Sequence, residues 1–256
     1  MPEASEPANP WGVPTAPPYR FGPWQGLAAV GGFFLAQAAL TAAAMVLRAM
    51  ALRLADRPDT PPDAGFLAGA IIAGYLVSAL GAVAWLRRRA GPRLRLGGAE
   101  GLAWCPAPWR AYPAALAAAA VSIAAAGLML RLFPVPTDAL RHSAFPALLA
   151  PGPMLIPALG LVVLAAPLVE EFLFRGALIA AFAPRLGARW AAVLSTVLFV
   201  AVHAPEKLQY PPGFLDVTVM AAGAAWLRLR YRSIRPAVAL HVLYNLGVVL
   251  AAALLR

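Results

Sequence analysis

The chain has 256 residues, of which 61% are hydrophobic and 12% are charged, and its mean hydropathy is +0.72. Soluble domains carry about 25% charged residues, so this composition excludes an ordinary soluble protein and predicts several membrane-spanning segments. The net charge of +10 does not indicate a nucleic-acid partner, because the arginines stand at the ends of apolar stretches, as topology signals do.

The first 24 residues are predicted to form a disordered cytoplasmic tail. They contain seven prolines, and they lack the basic start and apolar stretch of a signal peptide. Such a composition cannot bury enough apolar surface to fold.

Seven apolar stretches follow the tail. A helix needs about 20 apolar residues to cross a bilayer, within a range of roughly 17–25. We therefore predict an all-α, polytopic transmembrane helix bundle of about seven spans. Residues 25–150 would hold the N-terminal helices and a basic loop, and residues 151–256 the core formed by helices four to seven. The stretches, of which the fifth and sixth are short, are 26–47, 64–86, 111–130, 155–183, 189–204, 214–229 and 235–255.

The arginines also predict the orientation of the bundle. With the N-terminus in the cytoplasm, thirteen basic residues fall on the cytoplasmic side and seven on the other. The two most arginine-rich loops, 87–110 and 228–235, then share the cytoplasmic side. Abundant Arg, Ala and Pro are typical of a GC-rich bacterial genome, so we expect an integral protein of a bacterial inner membrane.

Three charged residues interrupt the fourth apolar stretch, in "LVEEFLFRG" (168–176). A charge at the bilayer centre costs at least about 2.5–3.5 kcal/mol, so Glu170, Glu171 and Arg175 must face the protein interior. Glu171 and Arg175 are four residues apart and can pair on one helix face. Glu170 lies about 100° around the helix and is left as a candidate general base.

Two later motifs place histidines inside predicted spans. In "FVAVH" (199–203), Phe199 and His203 share a helix face, and in "HVLYN" (241–245), His241 and Asn245 do so. Each motif by itself is explained by packing or by a helix–helix hydrogen bond. Alongside the charged cluster, they favour a functional site.

The combined side chains suit hydrolysis by water. A carboxylate can take a proton from water, and imidazole or amide donors can stabilise the oxyanion. Glu170, His203 and His241 would equally be three ligands of a catalytic zinc ion with an open fourth position. The residues leave these two arrangements open, and the HExxH motif of many metalloproteases is absent.

The three motifs resemble those of the CPBP family, also called the Abi or CAAX-protease-like family of intramembrane proteases. The family pattern EExxxR, FxxxH and HxxxN appears in order within residues 155–250 as "EEFLFR", "FVAVH" and "HVLYN". The resemblance implies an endopeptidase that hydrolyses peptide bonds of membrane-associated peptide or protein substrates, with helices four to seven of residues 151–256 as its catalytic core. It further implies that Glu170 and His203 activate water, and that His241 and Asn245 stabilise the oxyanion or complete a metal site. Glu171, Arg175 and Phe199 would support them.

Two other functions compete with this interpretation. The motifs could persist in a non-catalytic membrane scaffold or a bacteriocin-immunity-type protein. A small transporter is a weaker alternative, because such proteins often show an internal repeat and this chain shows none.

The predicted helices place the two histidines at different depths. Counted from the cytoplasmic side, His203 would lie about 21 Å beyond Arg189, and His241 only about 9 Å beyond Arg235. A shared site therefore requires a fifth helix that starts deep in the membrane or is strongly tilted. We predict that the turn at 184–189, which precedes this helix, is recessed into the protein.

Overall fold

The computed structural model describes residues 21–57, 60–90, 101–136 and 148–254, without the side chains of residues 89 and 90. The predicted tail falls almost wholly outside these ranges. The described part of the chain consists of helices and turns, with no strand, so the predicted all-α class is confirmed. The helices are α1 (Pro23–Leu54), α2 (Ala64–Ala90), α3 (Ala111–Leu132), α4 (155–178), α5 (Ile179–Val202), α6 (Ala204–Lys207), α7 (Gly213–Tyr231) and α8 (Arg235–Leu254).

Five helical stretches in the described residues are long and apolar enough to cross a membrane. They are Pro23–Leu54, Ala64–Arg88, Ala111–Leu132, Leu155–Val202 and Arg235–Leu254. The fourth has 48 residues and is broken at Gly187, whose φ of 76° and ψ of 156° are not helical. The break agrees with the prediction of two spans here. Helix α7 carries Asp216, Arg228 and Arg230 and is not among the five, so the total of seven spans stays a prediction.

Helix α4 alternates between α and π geometry. The α segments Leu155–Gly160 and Ala166–Glu171 are each followed by a π segment, Leu161–Ala165 and Phe172–Leu178. Pro167 has no N–H to donate to the preceding turn, which loosens the helix just before the two glutamates. The π segments therefore flank the turn that carries Glu170 and Glu171, as π turns often do at functional sites.

Residues 101–105, which we call the strap, cross over the turn between α7 and α8. The Ile234 N–H donates to the Ala103 carbonyl at 2.9 Å, and the Ser233 hydroxyl donates to the Cys105 carbonyl at 2.6 Å. Ser233, Ile234 and Ala103 are fully buried. The turn before α8 is therefore sunk into the protein beneath the strap.

The recessed connection is not the one expected from the sequence. The residues from Pro184 to Gly187 are exposed, so the prediction of a recessed 184–189 turn was wrong. The α7–α8 turn is recessed instead, which lets His241 reach the depth of His203 only six residues after α8 begins. Sequence spacing indicated only that the two histidines differ in depth, and the strap that covers the recessed turn lies more than 120 residues earlier in the chain.

Candidate active site

A buried ion pair forms the base of the site. Glu171 Oε1 lies 3.1 Å from an Arg175 guanidinium nitrogen, and both side chains are fully buried. A second guanidinium nitrogen of Arg175 donates to the Ala221 carbonyl at 2.8 Å, and the guanidinium lies 4.4 Å from the centre of the Phe199 ring. Helices α4, α5 and α7 therefore all hold Arg175, and the Glu171–Arg175 pair that the i, i+4 spacing predicted is present.

Glu171 also orients His241. The same oxygen, Oε1, lies 3.0 Å from His241 Nδ1, and this histidine is buried. Since a carboxylate only accepts hydrogen bonds, Nδ1 carries the proton that is shared with Glu171. The other ring nitrogen, Nε2, then faces Glu170 Oε2 at 3.9 Å.

His203 approaches Glu170 from the end of α5. Its Nδ1 lies 2.8 Å from the Phe199 carbonyl, and its ring stacks on the Phe199 ring at a centroid distance of 4.5 Å. Because a carbonyl only accepts, Nδ1 carries the proton and Nε2 presents a lone pair. His203 Nε2 is 3.9 Å from Glu170 Oε2, so Glu170 faces both imidazoles.

Asn245 lies one turn beyond His241 on α8, at the edge of the cluster. Its amide nitrogen donates to the Val162 carbonyl at 2.8 Å, in the first π segment of α4. In a π-helix the N–H of the residue five positions later donates to this carbonyl, and that residue is Pro167. Because proline has no N–H, the Val162 carbonyl is free to accept from Asn245. The contact joins α8 to α4, and the role of Asn245 at an oxyanion stays a prediction.

Two polar contacts near the site were missed at the sequence level. The buried Tyr75 hydroxyl donates to the Ala166 carbonyl at 3.3 Å, one helical turn before Glu170. The buried Tyr244 hydroxyl donates to Asp216, which joins α7 to α8 one turn from His241. A buried tyrosine hydroxyl usually has a hydrogen-bond partner. A tyrosine within an otherwise apolar span was therefore the sequence signal that could have predicted these two contacts.

The arrangement of Glu170, His203 and His241 does not fit a zinc ion. Ligands of a tetrahedral zinc site lie about 2.0–2.2 Å from the metal and about 3.4 Å from one another. A separation of 3.9 Å between Glu170 and each histidine would open both ligand–metal–ligand angles to about 140°. Within the described ranges, no group of three or more His, Cys, Asp or Glu side chains could hold a metal ion.

The same separations suit a water molecule. A water about 2.8 Å from both Glu170 Oε2 and His203 Nε2 would donate one hydrogen to each, at an angle close to 90°. Its oxygen would keep a lone pair for attack on a carbonyl carbon. Glu170 and His203 can therefore hold a water molecule in an orientation for attack without a metal.

A separate apolar cavity of about 310 Å³ lies between α2 and α4. Its lining includes Ala79 and Leu86 from α2 and Val169 and Phe172 from α4, with Arg87 as the charged member. Glu170 and the two histidines are not in its lining. The cavity therefore lies beside the helical turn that carries Glu170, and its lining is separate from Glu170, His203 and His241.

The fold and the cluster together define a helical membrane protein with a buried cluster of carboxylates and imidazoles. Residues 152–247 match the model of the family described as "Type II CAAX prenyl endopeptidase Rce1-like". This match confirms the resemblance to the CPBP family over the matched residues, which contain all three motifs, and supports a membrane endopeptidase at the family level. The comparisons with curated proteins and with solved structures gave no match.

Proposed function

We propose that this protein is an intramembrane endopeptidase that cleaves membrane-associated peptide or protein substrates with water activated by Glu170 and His203. The observation that carries the proposal is the position of Glu170, whose carboxylate faces two imidazoles at 3.9 Å deep inside a helical bundle. A purely structural carboxylate would be expected to form a direct ion pair, as Glu171 does with Arg175. Glu170 instead lies 3.9 Å from each histidine, a separation that a bridging water molecule can span.

The proposed reaction is direct attack by water on the peptide carbonyl. Glu170 takes one proton from the water while the oxygen bonds to the carbonyl carbon, and His203 holds the second hydrogen. The carbon–nitrogen bond then breaks, and Glu170 returns its proton to the leaving amine. The second hydrogen of the water stays on the new carboxyl group, so the immediate products are a carboxylic acid and an amine, and no other reactant is consumed.

His241 is the proposed stabiliser of the oxyanion. Glu171 lies behind its Nδ1, so the imidazole can carry a positive charge and donate from Nε2 to the developing negative oxygen. Asn245 is one turn away, and it could assist only after releasing the Val162 carbonyl. Arg175 and Phe199 act indirectly, because they fix Glu171 and His203.

The proposed setting is a bacterial inner membrane, with the N-terminus in the cytoplasm. The excess of arginine in loops 87–110 and 228–235 supports this orientation. The five long apolar helices support membrane insertion itself.

The test is cleavage of a quenched fluorescent peptide library by the purified protein in nanodiscs. The variant Glu170→Gln keeps the size of the side chain but cannot accept a proton, and we expect its turnover to fall by about 10²–10⁴-fold. The matched control is Asp56→Asn, another carboxylate-to-amide change, at an exposed position whose positive φ an asparagine tolerates.

Two results would contradict the proposal. One is equal cleavage by wild type and Glu170→Gln, which would place the base elsewhere. The other is the absence of cleavage by folded wild type across the library, which would favour the non-catalytic scaffold or immunity-type protein.

A further inference from the structure

A buried pair of polar side chains, Tyr244 and Asp216, joins α8 to α7, and we call this pair the tether. The Tyr244 hydroxyl donates to the Asp216 carboxylate, and the two residues are only 5% and 6% exposed. A buried carboxyl group loses its hydration, at a free-energy cost that its contacts must offset. Leucine and phenylalanine would fill the same positions without that cost. Packing alone therefore does not account for the tether, and the proposed reaction uses neither residue.

The tether closes a ring of polar contacts around the base of the site. Helix α7 is bound to the ion pair, since Arg175 donates to the Ala221 carbonyl at 2.8 Å. Helix α8 is bound to the same ion pair, since His241 Nδ1 lies 3.0 Å from Glu171. Because the tether joins α7 directly to α8, the three helices α4, α7 and α8 are connected in a closed ring. A shift of α8 relative to α7 must break a contact of this ring.

The tether also lies close to His241 along α8. Tyr244 follows His241 by three residues, which is about 4.5 Å along the helix axis, and the two side chains are neighbours on the helix surface. A rotation of α8 that displaced Tyr244 would therefore displace His241 as well. His241 Nε2 lies 3.9 Å from Glu170 Oε2. A misplacement of about 1 Å at such a group can reduce the rate of a reaction by about 10²-fold.

We propose that the tether is a positioning device for hydrolysis. The hydrogen bond from Tyr244 to Asp216 fixes the rotation of α8 and thereby holds His241 Nε2 toward Glu170 and the developing oxyanion. The proposal rests on the proposed peptidase function, to which it adds two positioning residues that act through His241 rather than on the substrate. The directed hydrogen bond carries this role, because a fully satisfied buried polar contact favours a single geometry.

Four variants separate positioning from simple packing. Tyr244→Phe removes the hydroxyl and keeps the ring. Asp216→Asn removes the charge and keeps an oxygen that can accept from Tyr244. The double variant Tyr244→Phe with Asp216→Leu removes both polar groups and leaves an apolar contact. The matched control is Tyr210→Phe, the same change at a hydroxyl that donates to the Met129 and Phe133 carbonyls at the end of α3.

The first readout is peptide cleavage in nanodiscs by the folded fraction of each variant. We expect kcat to fall by about 10–100-fold in Tyr244→Phe while KM stays within about twofold of wild type, because the substrate still binds but His241 is misplaced. Asp216→Asn should retain most of the wild-type kcat, because the hydrogen bond persists. The double variant should be as slow as Tyr244→Phe, although it leaves no buried carboxyl group unpaired. Tyr210→Phe should cleave at the wild-type rate.

The second readout does not depend on turnover. Nuclear magnetic resonance of isotopically labelled histidine nitrogens reports the tautomer of His241, whose signals are identified by their absence from a His241→Gln variant. Wild type and Tyr210→Phe should show one tautomer, with the proton on Nδ1, as the contact with Glu171 requires. Tyr244→Phe and the double variant should show both tautomers, because His241 is no longer held against Glu171. The double variant gives the same test if Tyr244→Phe folds poorly.

Either a wild-type kcat or a single His241 tautomer in Tyr244→Phe would overturn the inference. Recovery of kcat in the double variant would also overturn it, because the tether would then serve only the stability of the fold. Loss of activity in Glu170→Gln but not in Tyr244→Phe would leave the proposed function standing without the tether. If wild type cleaved no peptide, the proposed function would fail, and the tautomers of His241 would still support or overturn the positioning role.

Discussion

Removal of the Arg175 side chain should destabilise the protein strongly, because it leaves a buried charge unpaired. Arg175 and Glu171 are 3.1 Å apart and fully buried. At an effective dielectric constant of 20, two unit charges at this distance attract by about 5 kcal/mol. Arg175 also contacts the Ala221 carbonyl and the Phe199 ring. The variant Arg175→Met, of similar length and without charge, should therefore lose about 3–5 kcal/mol of unfolding free energy.

The double variant Glu171→Gln with Arg175→Met separates the contribution of the two charges to the unfolding free energy from the contribution of side-chain packing. It removes both charges, while the Gln oxygen can still accept a hydrogen bond from His241. Because replacing both members of a buried pair costs far less than removing one, we expect it to regain at least about 2 kcal/mol relative to Arg175→Met.

The assay is reversible unfolding in mixed micelles, followed by far-ultraviolet circular dichroism, for wild type, both single variants and the double variant. The double-mutant cycle then gives the coupling between the two positions. A loss below about 1 kcal/mol in Arg175→Met, or a double variant no more stable than Arg175→Met, would refute a buried and mutually compensating pair.

Two further predictions concern packing and metal dependence. Gly26→Ala should lower the unfolding free energy by about 1–3 kcal/mol relative to Gly32→Ala, because its Cβ would lie 2.7 Å from Ala181 Cβ, whereas Gly32 has open space around it. Equal stability of the two variants in the same unfolding assay would contradict the close α1–α5 contact. Cleavage should also persist in the presence of a zinc chelator, because the 3.9 Å separations between Glu170 and the histidines suit water better than zinc. Loss of cleavage on chelation, restored by stoichiometric zinc, would contradict that assignment.

The sequence alone determined the class of fold and the identity of the central side chains. Apolar stretches long enough to cross a bilayer can form only helices or closed barrels there, because backbone polar groups need partners in lipid. Charged residues within such stretches must turn inward, so Glu170, Glu171, Arg175, His203 and His241 could be named as a cluster. The i, i+4 spacing even predicted the Glu171–Arg175 pair.

Only the tertiary structure decided how these side chains meet. The sequence placed the recessed turn at 184–189, whereas the strap covers the α7–α8 turn instead. Tyr75 joins the site from α2, and Asn245 binds a carbonyl that Pro167 leaves free. Helical spacing fixes which residues share a face of one helix. The depth of one helix against another depends on contacts between distant segments, and no local pattern encodes those contacts.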